Sequence, residues 1–114
     1  MGSFKKGSVV LIRFPFSDLT SRKLRPAVIV ANVGRGDHIL CQVTSKPYDA
    51  ESIELTEKEF EAGSLQRISY ARPGKLFTAN DSILLKEVGQ LEPRAVDSLV
   101  ARIVEIVRGG PAHR

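Results

Sequence analysis

Short segments rich in β-branched and other apolar side chains recur along this 114-residue chain, separated by glycine, proline, asparagine or aspartate. Segments of this length between turn-forming residues are typical of β-strands. The predicted strands are Val9–Phe14, Pro26–Ala31, His38–Thr44, Ser52–Leu55, Gln66–Ala71, Lys75–Thr78 and Ile83–Val88. Apolar and polar residues alternate in the third of these, so we expect Ile39, Cys41 and Val43 to face the core.

Two further segments are predicted to be helical. Thr56 and Glu59 have the spacing of a capping box, and Gly63 is suited to ending the short helix that they begin. Pro93 is suited to the first turn of a longer helix, in which apolar residues recur at helical spacing. That apolar stripe comprises Val96, Leu99, Val100, Ile103, Val104 and Val107. The predicted fold is therefore mainly β: a small antiparallel barrel of six or seven strands with a short helix and a C-terminal helix.

The composition is that of an ordinary globular protein, with 42% apolar and 26% charged residues. Its single cysteine excludes a disulfide framework and a cysteine-based zinc site. No apolar run is long enough to span a membrane, and the N-terminus lacks the pattern of a signal peptide. We expect one domain over residues 1–114, with flexible ends at residues 1–6 and 109–114.

Positive charge is concentrated at the start of the chain. Residues 1–36 carry seven basic side chains and one acidic one, residues 37–64 carry a net charge of −5, and residues 65–114 carry +3. Clustered lysine and arginine release counterions when they bind a nucleic acid, which favours a phosphate-rich ligand. A solvated surface that keeps a small protein soluble explains the same charges, so both interpretations stay open.

Few residues are available for metal or nucleophilic chemistry. The sequence contains no HExxH, CxxC or glycine-rich phosphate loop, and its two histidines, His38 and His113, are far apart. His38 follows a Gly-Arg-Gly-Asp turn, so we expect it at the surface.

An arginine and a threonine remain as candidates for chemistry. Arg25 precedes the proline that opens the second predicted strand, and Thr44 ends the third. If these strands pair as an antiparallel hairpin, both residues lie at the same end of the sheet. A guanidinium binds phosphate through two parallel hydrogen bonds, and a hydroxyl can donate to the same oxygens. The pair also has a purely structural explanation, because a threonine at a strand end often caps a turn.

Several segments, taken in order, resemble the MazF/PemK toxins of bacterial toxin–antitoxin systems. The segments are Gly7–Ile12, Phe14-Pro15-Phe16, Leu24–Val30, Val43-Thr44-Ser45, Arg72–Thr78 and the closing helix. The resemblance implies a barrel related to the SH3-like and CcdB-like folds, usually a homodimer, in the bacterial cytoplasm. It also implies an endoribonuclease that needs neither metal nor cofactor and is neutralised by a cognate antitoxin. Such an enzyme cleaves single-stranded RNA by attack of the 2′-hydroxyl on the adjacent phosphate, leaving a 2′,3′-cyclic phosphate and a 5′-hydroxyl.

The resemblance also implies roles for individual residues. The family's catalytic arginine and threonine fall on Arg25 and Thr44. The residues implied to contact RNA are Thr20, Ser21, Arg22, Lys23, Ser45, Arg72 and Lys75. The chain departs from the family in having Ser8 where many members have an acid and Lys75 where they have an arginine. Its loop over residues 18–23 also differs, so the family's RNA sequence preference does not carry over.

Two other functions fit a protein of this resemblance. A CcdB-like barrel binds DNA gyrase and has no RNA chemistry, and a toxin-like domain that has lost its activity could serve as an adaptor. Arg25 together with Thr44 favours the ribonuclease. The residues after the last predicted helix, 109–114, do not resemble a gyrase-contacting helix end.

Overall fold

Seven antiparallel strands form one curled sheet in a computed structural model that describes residues 4–13, 24–47 and 50–110. The strands are β1 (Ser8–Arg13), β2 (Leu24–Gly34), β3 (Asp37–Thr44), β4 (Ile53–Leu55), β5 (Phe60–Gly63), β6 (Ser69–Asn80) and β7 (Leu84–Leu91), and one helix, α1 (Pro93–Val107), follows them. The strand order is β4-β6-β3-β2-β1-β7-β5. The mainly β prediction is confirmed, although β4 and β5 form two open edges and do not pair to close a barrel. Phe14, the predicted end of the first strand, lies outside the described residues.

The sheet buries apolar side chains on both of its faces. On one face, which we call the helix face, the core consists of Val9, Val28, Val30, Cys41, Val43, Leu55, Ala71 and Leu91 packed with Ala95, Val96 and Leu99 of α1. On the other, which we call the back face, a second cluster consists of Val10, Ile12, Ala27, Ile29, Leu40, Ala79 and Leu84, with Phe4 and Phe77 packed against it. Successive residues of a strand point to opposite faces, so the two clusters share the same strands. The predicted core positions Ile39, Cys41 and Val43 all pack in the helix-face core, as predicted.

The predicted short helix is a single 3-10 turn at Glu57–Glu59, and an edge strand, β5, follows it directly. The capping box is present, as predicted: the Thr56 amide donates to the Glu59 carboxylate at 2.7 Å, and the Thr56 hydroxyl accepts from the Lys58 amide at 3.2 Å. Gly63 does not end a helix but lies in β5. A capping box specifies where a turn begins and not how far it continues. The predicted short helix is therefore present as one turn, and only its predicted end at Gly63 was wrong.

His38 is buried, with 3% of its surface exposed, and the prediction of a surface histidine was wrong. Its Nδ1 lies 2.6 Å from Asn32 Oδ1, and its Nε2 lies 2.6 Å from Asp81 Oδ1. The Asp81 amide also donates to the Gly36 carbonyl at 2.8 Å. The histidine therefore ties the β2–β3 hairpin to the turn that follows β6. Asp81 is 43 residues away along the chain, so the local turn pattern could not indicate this contact.

The helix α1 begins at Pro93, as predicted. At its other end the Gly110 amide donates to the Glu105 carbonyl at 2.8 Å, which satisfies one of the last carbonyls of the helix. None of the helices in the described ranges is long and apolar enough to cross a membrane. Of the chain ends that were expected to be flexible, residues 1–3 and 111–114 lie outside the described residues.

Replacing Gly63 by alanine is expected to destabilise the protein strongly. Gly63 has a φ of +71°, and a Cβ atom there would lie 2.2 Å from the Val88 carbonyl oxygen, so β5 and β7 would have to move apart. We expect Gly63→Ala to lower the free energy of unfolding by about 3 kcal/mol. Urea unfolding followed by circular dichroism measures this loss.

Gly34 is the matched control for that substitution. It has a φ of +95°, but a Cβ atom there would meet nothing within 4 Å. Gly34→Ala should therefore cost only the backbone strain of a left-handed alanine, about 1–2 kcal/mol. Equal losses for the two variants would contradict the close approach of β7 to Gly63.

The folded protein holds the pKa of Glu59 below its ordinary value of 4.5. Burial raises this pKa, but hydrogen bonds from the Thr56 side chain and amide, together with the positive charge of Arg94, outweigh burial and lower it. Because the folded pKa lies below the unfolded one, the carboxylate stabilises the fold above pH 4.5, and this contribution is lost as the pH falls through the folded pKa.

Glu59→Gln should weaken the acid sensitivity of the fold, because glutamine keeps the capping acceptor but carries no charge. We expect the free energy of unfolding to decline less steeply for Glu59→Gln than for the unmodified protein between about pH 5 and pH 3. Urea titrations across this range measure the slopes, with the exposed Glu57→Gln as control. Identical slopes for the unmodified protein and Glu59→Gln would show that the capping carboxylate has no lowered pKa.

Candidate nucleic-acid interface

The β2–β3 hairpin brings Arg25 and Thr44 to the same end of the sheet. The two strands pair in antiparallel register with Ala27 opposite Gln42. Continued by two residues, this register sets Arg25 opposite Thr44, and residues opposite each other in an antiparallel pair point to the same face. Ala27 belongs to the back-face cluster, so Arg25 and Thr44 also point to the back face, away from α1.

Arg25 lies at the rim of the back-face cluster. It is the second residue of β2, is exposed, and lies opposite the fully buried Ile12 of β1. An arginine in such a place can lay its methylene groups along apolar surface while its guanidinium stays in solvent. The guanidinium is therefore available to an anion at this end of the sheet.

Thr44 is the last residue of β3 and is half-buried. Its Oγ1 accepts a hydrogen bond from the Lys46 amide at 3.3 Å, so the side chain caps the turn that follows the strand. A hydroxyl that accepts from an amide still has its own proton to donate. The cap thus orients the hydroxyl, and its proton can be donated to a phosphate oxygen.

Next to Thr44, the pairing of β6 with β3 is interrupted. Two strands were predicted here, but β6 is one strand in which residues 72–75 bulge out opposite Gln42. Pro73 has no amide hydrogen to give to the ladder, and its ring is fully buried. The Cys41 thiol donates to the Arg72 carbonyl at 2.9 Å and holds the bulge against β3.

The bulge contains two cationic residues and lies opposite Gln42, two residues before the end of β3 at Thr44. Arg72 is half-buried and Lys75 is exposed. Ser45 is exposed and directly follows Thr44. We call the set formed by Arg25, Thr44, Ser45, Arg72 and Lys75 the basic corner. The other four residues predicted to contact RNA, Thr20, Ser21, Arg22 and Lys23, lie outside the described residues.

Beyond Thr44, two residues that the sequence analysis did not single out lie in line with Arg25 and Thr44 across the sheet. Tyr70 of β6 lies directly opposite Thr44, and Glu54 of β4 lies directly opposite Tyr70. Both positions depend on how β6 pairs with β3 and β4, which are strands distant in sequence. No local pattern of apolar and polar residues encodes that pairing.

The basic corner combines three cations with two hydroxyls on an accessible part of the sheet. Among the described residues, no group of three or more His, Cys, Asp or Glu side chains could hold a metal ion. A guanidinium beside a hydroxyl can bind a phosphodiester and stabilise negative charge that develops on it. The basic corner therefore carries the chemical groups that are able to bind a phosphate.

Comparison with known proteins points to one family and one fold. A family model described as a PemK-like, MazF-like toxin of type II toxin–antitoxin systems matches residues 5–107. The fold is similar to that of an endoribonuclease in complex with its cognate antitoxin from a mycobacterial species, with a TM-score of 0.68 and 16% identity over 99% of this chain and 100% of that one. No curated protein sequence matches the chain significantly.

Two further solved structures have the same fold. One is the Mycobacterium tuberculosis toxin MazF-mt6, with a TM-score of 0.68 and 13% identity over 92% of this chain and 99% of that one. The other is a MazE–MazF crystal structure from Deinococcus radiodurans, with a TM-score of 0.65 and 12% identity over 92% of this chain and 95% of that one. The gyrase-binding alternative receives no support from these comparisons.

Lys75→Ala should weaken the binding of single-stranded polyanions and make it less sensitive to salt. Removing one phosphate-neutralising side chain lowers the slope of log K against log salt by about 0.7 for a single strand. Fluorescence anisotropy with a 2′-O-methyl RNA oligonucleotide measures that slope without cleavage. Lys86→Ala, an exposed lysine in β7, is the control and should leave the slope unchanged. An unchanged slope for Lys75→Ala would show that Lys75 does not contact the bound polyanion.

Proposed function

The chain belongs to the PemK-like, MazF-like toxins of type II toxin–antitoxin systems, and on that premise we propose that it is a sequence-specific endoribonuclease that cleaves single-stranded RNA without a metal ion. The observation that supports this most strongly is the register of β2 and β3. Continued two residues beyond the pair Ala27–Gln42, it sets Arg25 opposite Thr44. A guanidinium and a hydroxyl on one face are the groups that a phosphodiester needs when no metal neutralises its charge.

In the proposed reaction, the 2′-oxygen of the RNA bonds to the adjacent phosphorus and the bond from that phosphorus to the 5′-oxygen breaks. The 2′-hydroxyl proton leaves to solvent, and the departing 5′-oxygen takes up a proton from solvent. The products are a 2′,3′-cyclic phosphate and a 5′-hydroxyl end. Arg25 stabilises the charge that builds up on the phosphoryl oxygens, since a guanidinium stays protonated and is a poor general base. Thr44 donates a hydrogen bond from its hydroxyl to one of those oxygens and holds the phosphate in place.

The remaining residues of the basic corner bind the RNA backbone on either side of the cleaved bond. Lys75 and Arg72 attract the flanking phosphates, and Ser45 adds a hydroxyl donor. Lysine binds as a point charge and cannot form the planar double hydrogen bond of arginine, so Lys75 contributes affinity more than orientation. The segment containing Thr20–Lys23 would complete the contact with RNA.

The physiological partner in this proposal is a cognate antitoxin, as in the mycobacterial complex of similar fold. An acidic segment of the antitoxin would compete with RNA for the basic corner, because carboxylates pair with the same arginine and lysine side chains. The proposed assembly is a homodimer in the bacterial cytoplasm, and no cofactor is required.

Arg25→Ala and Thr44→Val should each lower the rate of RNA cleavage by about 100-fold or more, because each removes a donor that stabilises the transition state. Arg25→Lys should recover only part of the loss, since charge returns without the bidentate geometry. The measurement is single-turnover cleavage of a long mixed-sequence RNA in excess chelator, with the termini of the products identified by mass spectrometry. Arg108→Ala, an exposed arginine after α1, is the control and should cleave normally.

DNA, and RNA with a single 2′-deoxy substitution at the cleaved nucleotide, should remain intact in the same assay. Loss of cleavage in chelator, or normal cleavage by both Arg25→Ala and Thr44→Val, would contradict the proposed mechanism. Intact RNA together with trapped DNA gyrase would favour the CcdB-like alternative.

A further inference from the structure

Tyr70 and Glu54 lie in one row with the proposed catalytic pair. β6 pairs with β3 so that Tyr70 is opposite Thr44, and β4 pairs with β6 so that Glu54 is opposite Tyr70. The Cβ atoms of residues directly opposite each other are about 4.5–5.5 Å apart. Across the sheet the row therefore reads Arg25, Thr44, Tyr70, Glu54, with one strand spacing between neighbours.

The burial of neighbouring residues shows which face this row occupies. Ala71 follows Tyr70 in β6 and packs in the helix-face core. Leu55 follows Glu54 in β4 and packs in the same core. Because successive side chains in a strand point to opposite faces, Tyr70 and Glu54 point to the back face, the face of Arg25 and Thr44.

Neither side chain belongs to the apolar cores of the sheet. Tyr70 is half-buried but belongs to neither apolar cluster, and Glu54 is exposed. Within the described residues Glu54 forms no salt bridge. An aromatic ring that is held by the sheet but reached by solvent, beside a phosphate-binding pair, has the properties of a surface on which a nucleobase stacks.

The charges along the row define the orientation of a bound nucleotide. Arg25 at one end attracts the phosphate, and the carboxylate of Glu54 at the other end repels it. The base is thereby directed over Tyr70 towards Glu54. A carboxylate accepts hydrogen bonds from exocyclic amino groups such as N4 of cytosine, whereas uracil has a carbonyl oxygen, O4, at that position.

We propose that Tyr70 and Glu54 form a nucleobase subsite in which Tyr70 stacks on a base flanking the cleaved phosphate and Glu54 selects a base carrying an amino group over uracil. The inference rests on the proposed function for the identity of the ligand as RNA. It adds specificity residues to a site whose other members bind the sugar–phosphate backbone.

Binding of non-cleavable RNA tests the subsite separately from catalysis. The probes are 2′-O-methyl oligomers of adenine, cytosine and uracil, and fluorescence anisotropy measures Kd for the full chain. Tyr70→Leu should raise Kd for the adenine and cytosine oligomers roughly 5- to 100-fold, and Tyr70→Phe, which keeps the ring, should stay within about 2-fold of the unmodified protein. Thermal unfolding of each variant establishes that it is folded.

Glu54→Gln tests the selection of the base. The unmodified protein should bind the adenine or cytosine oligomer about 5- to 100-fold more tightly than the uracil oligomer, and Glu54→Gln should reduce this ratio to about 3-fold or less. Glu87→Gln, an exposed glutamate in β7, is the matched control and should keep the ratio.

The outcomes test stacking by Tyr70 and base selection by Glu54 separately. Unchanged Kd in Tyr70→Leu, or an equal loss in Tyr70→Phe, overturns the stacking role. An unchanged ratio in Glu54→Gln overturns the selection by the carboxylate. If the binding results are as expected but natural RNA is not cleaved, the subsite stands and the proposed ribonuclease function fails.

Discussion

The register of β3 determines where the candidate residues lie. β3 pairs with β2 along one side and with β6 along the other, and its side chains alternate between two apolar clusters. Cys41 packs towards α1, and Leu40 packs on the back face. A slip of one residue would exchange these faces and place Gln42 and Thr44 in the helix-face core, so burial on both sides fixes the register. The row from Arg25 to Glu54 is a consequence of that constraint.

The regular pairing is interrupted directly beside this row. Residues 72–75 of β6 do not pair with β3. Bulges of this kind often redirect side chains at functional sites. The interruption is compensated locally, since Pro73 is fully buried and the Cys41 thiol binds the Arg72 carbonyl. The bulge therefore leaves Lys75 exposed near the Arg25–Thr44 end of the sheet while Pro73 stays buried.

Features that depend on local sequence were predictable, and features that depend on distant pairing were not. The apolar alternation of β3 and the proline of α1 led to the right elements, and the hairpin placed Arg25 near Thr44. The edge strand β5 was missed because Phe60–Gly63 is short and has no clear alternation. The burial of His38 depends on its contact with Asp81, and the position of Tyr70 depends on the pairing of β6 with β3. The sequence around His38 or Tyr70 does not indicate either contact.

We propose that the back face of the sheet, at the Arg25–Thr44 end, holds the cleaved phosphate of an RNA strand. A crystal structure with an RNA oligonucleotide carrying one 2′-deoxy nucleotide at the mapped cleavage site tests it directly. We expect a phosphate within hydrogen-bonding distance of both the Arg25 guanidinium and Thr44 Oγ1, with the adjacent base over Tyr70. RNA bound against α1, or a cleavage-site phosphate that contacts neither side chain, would contradict it.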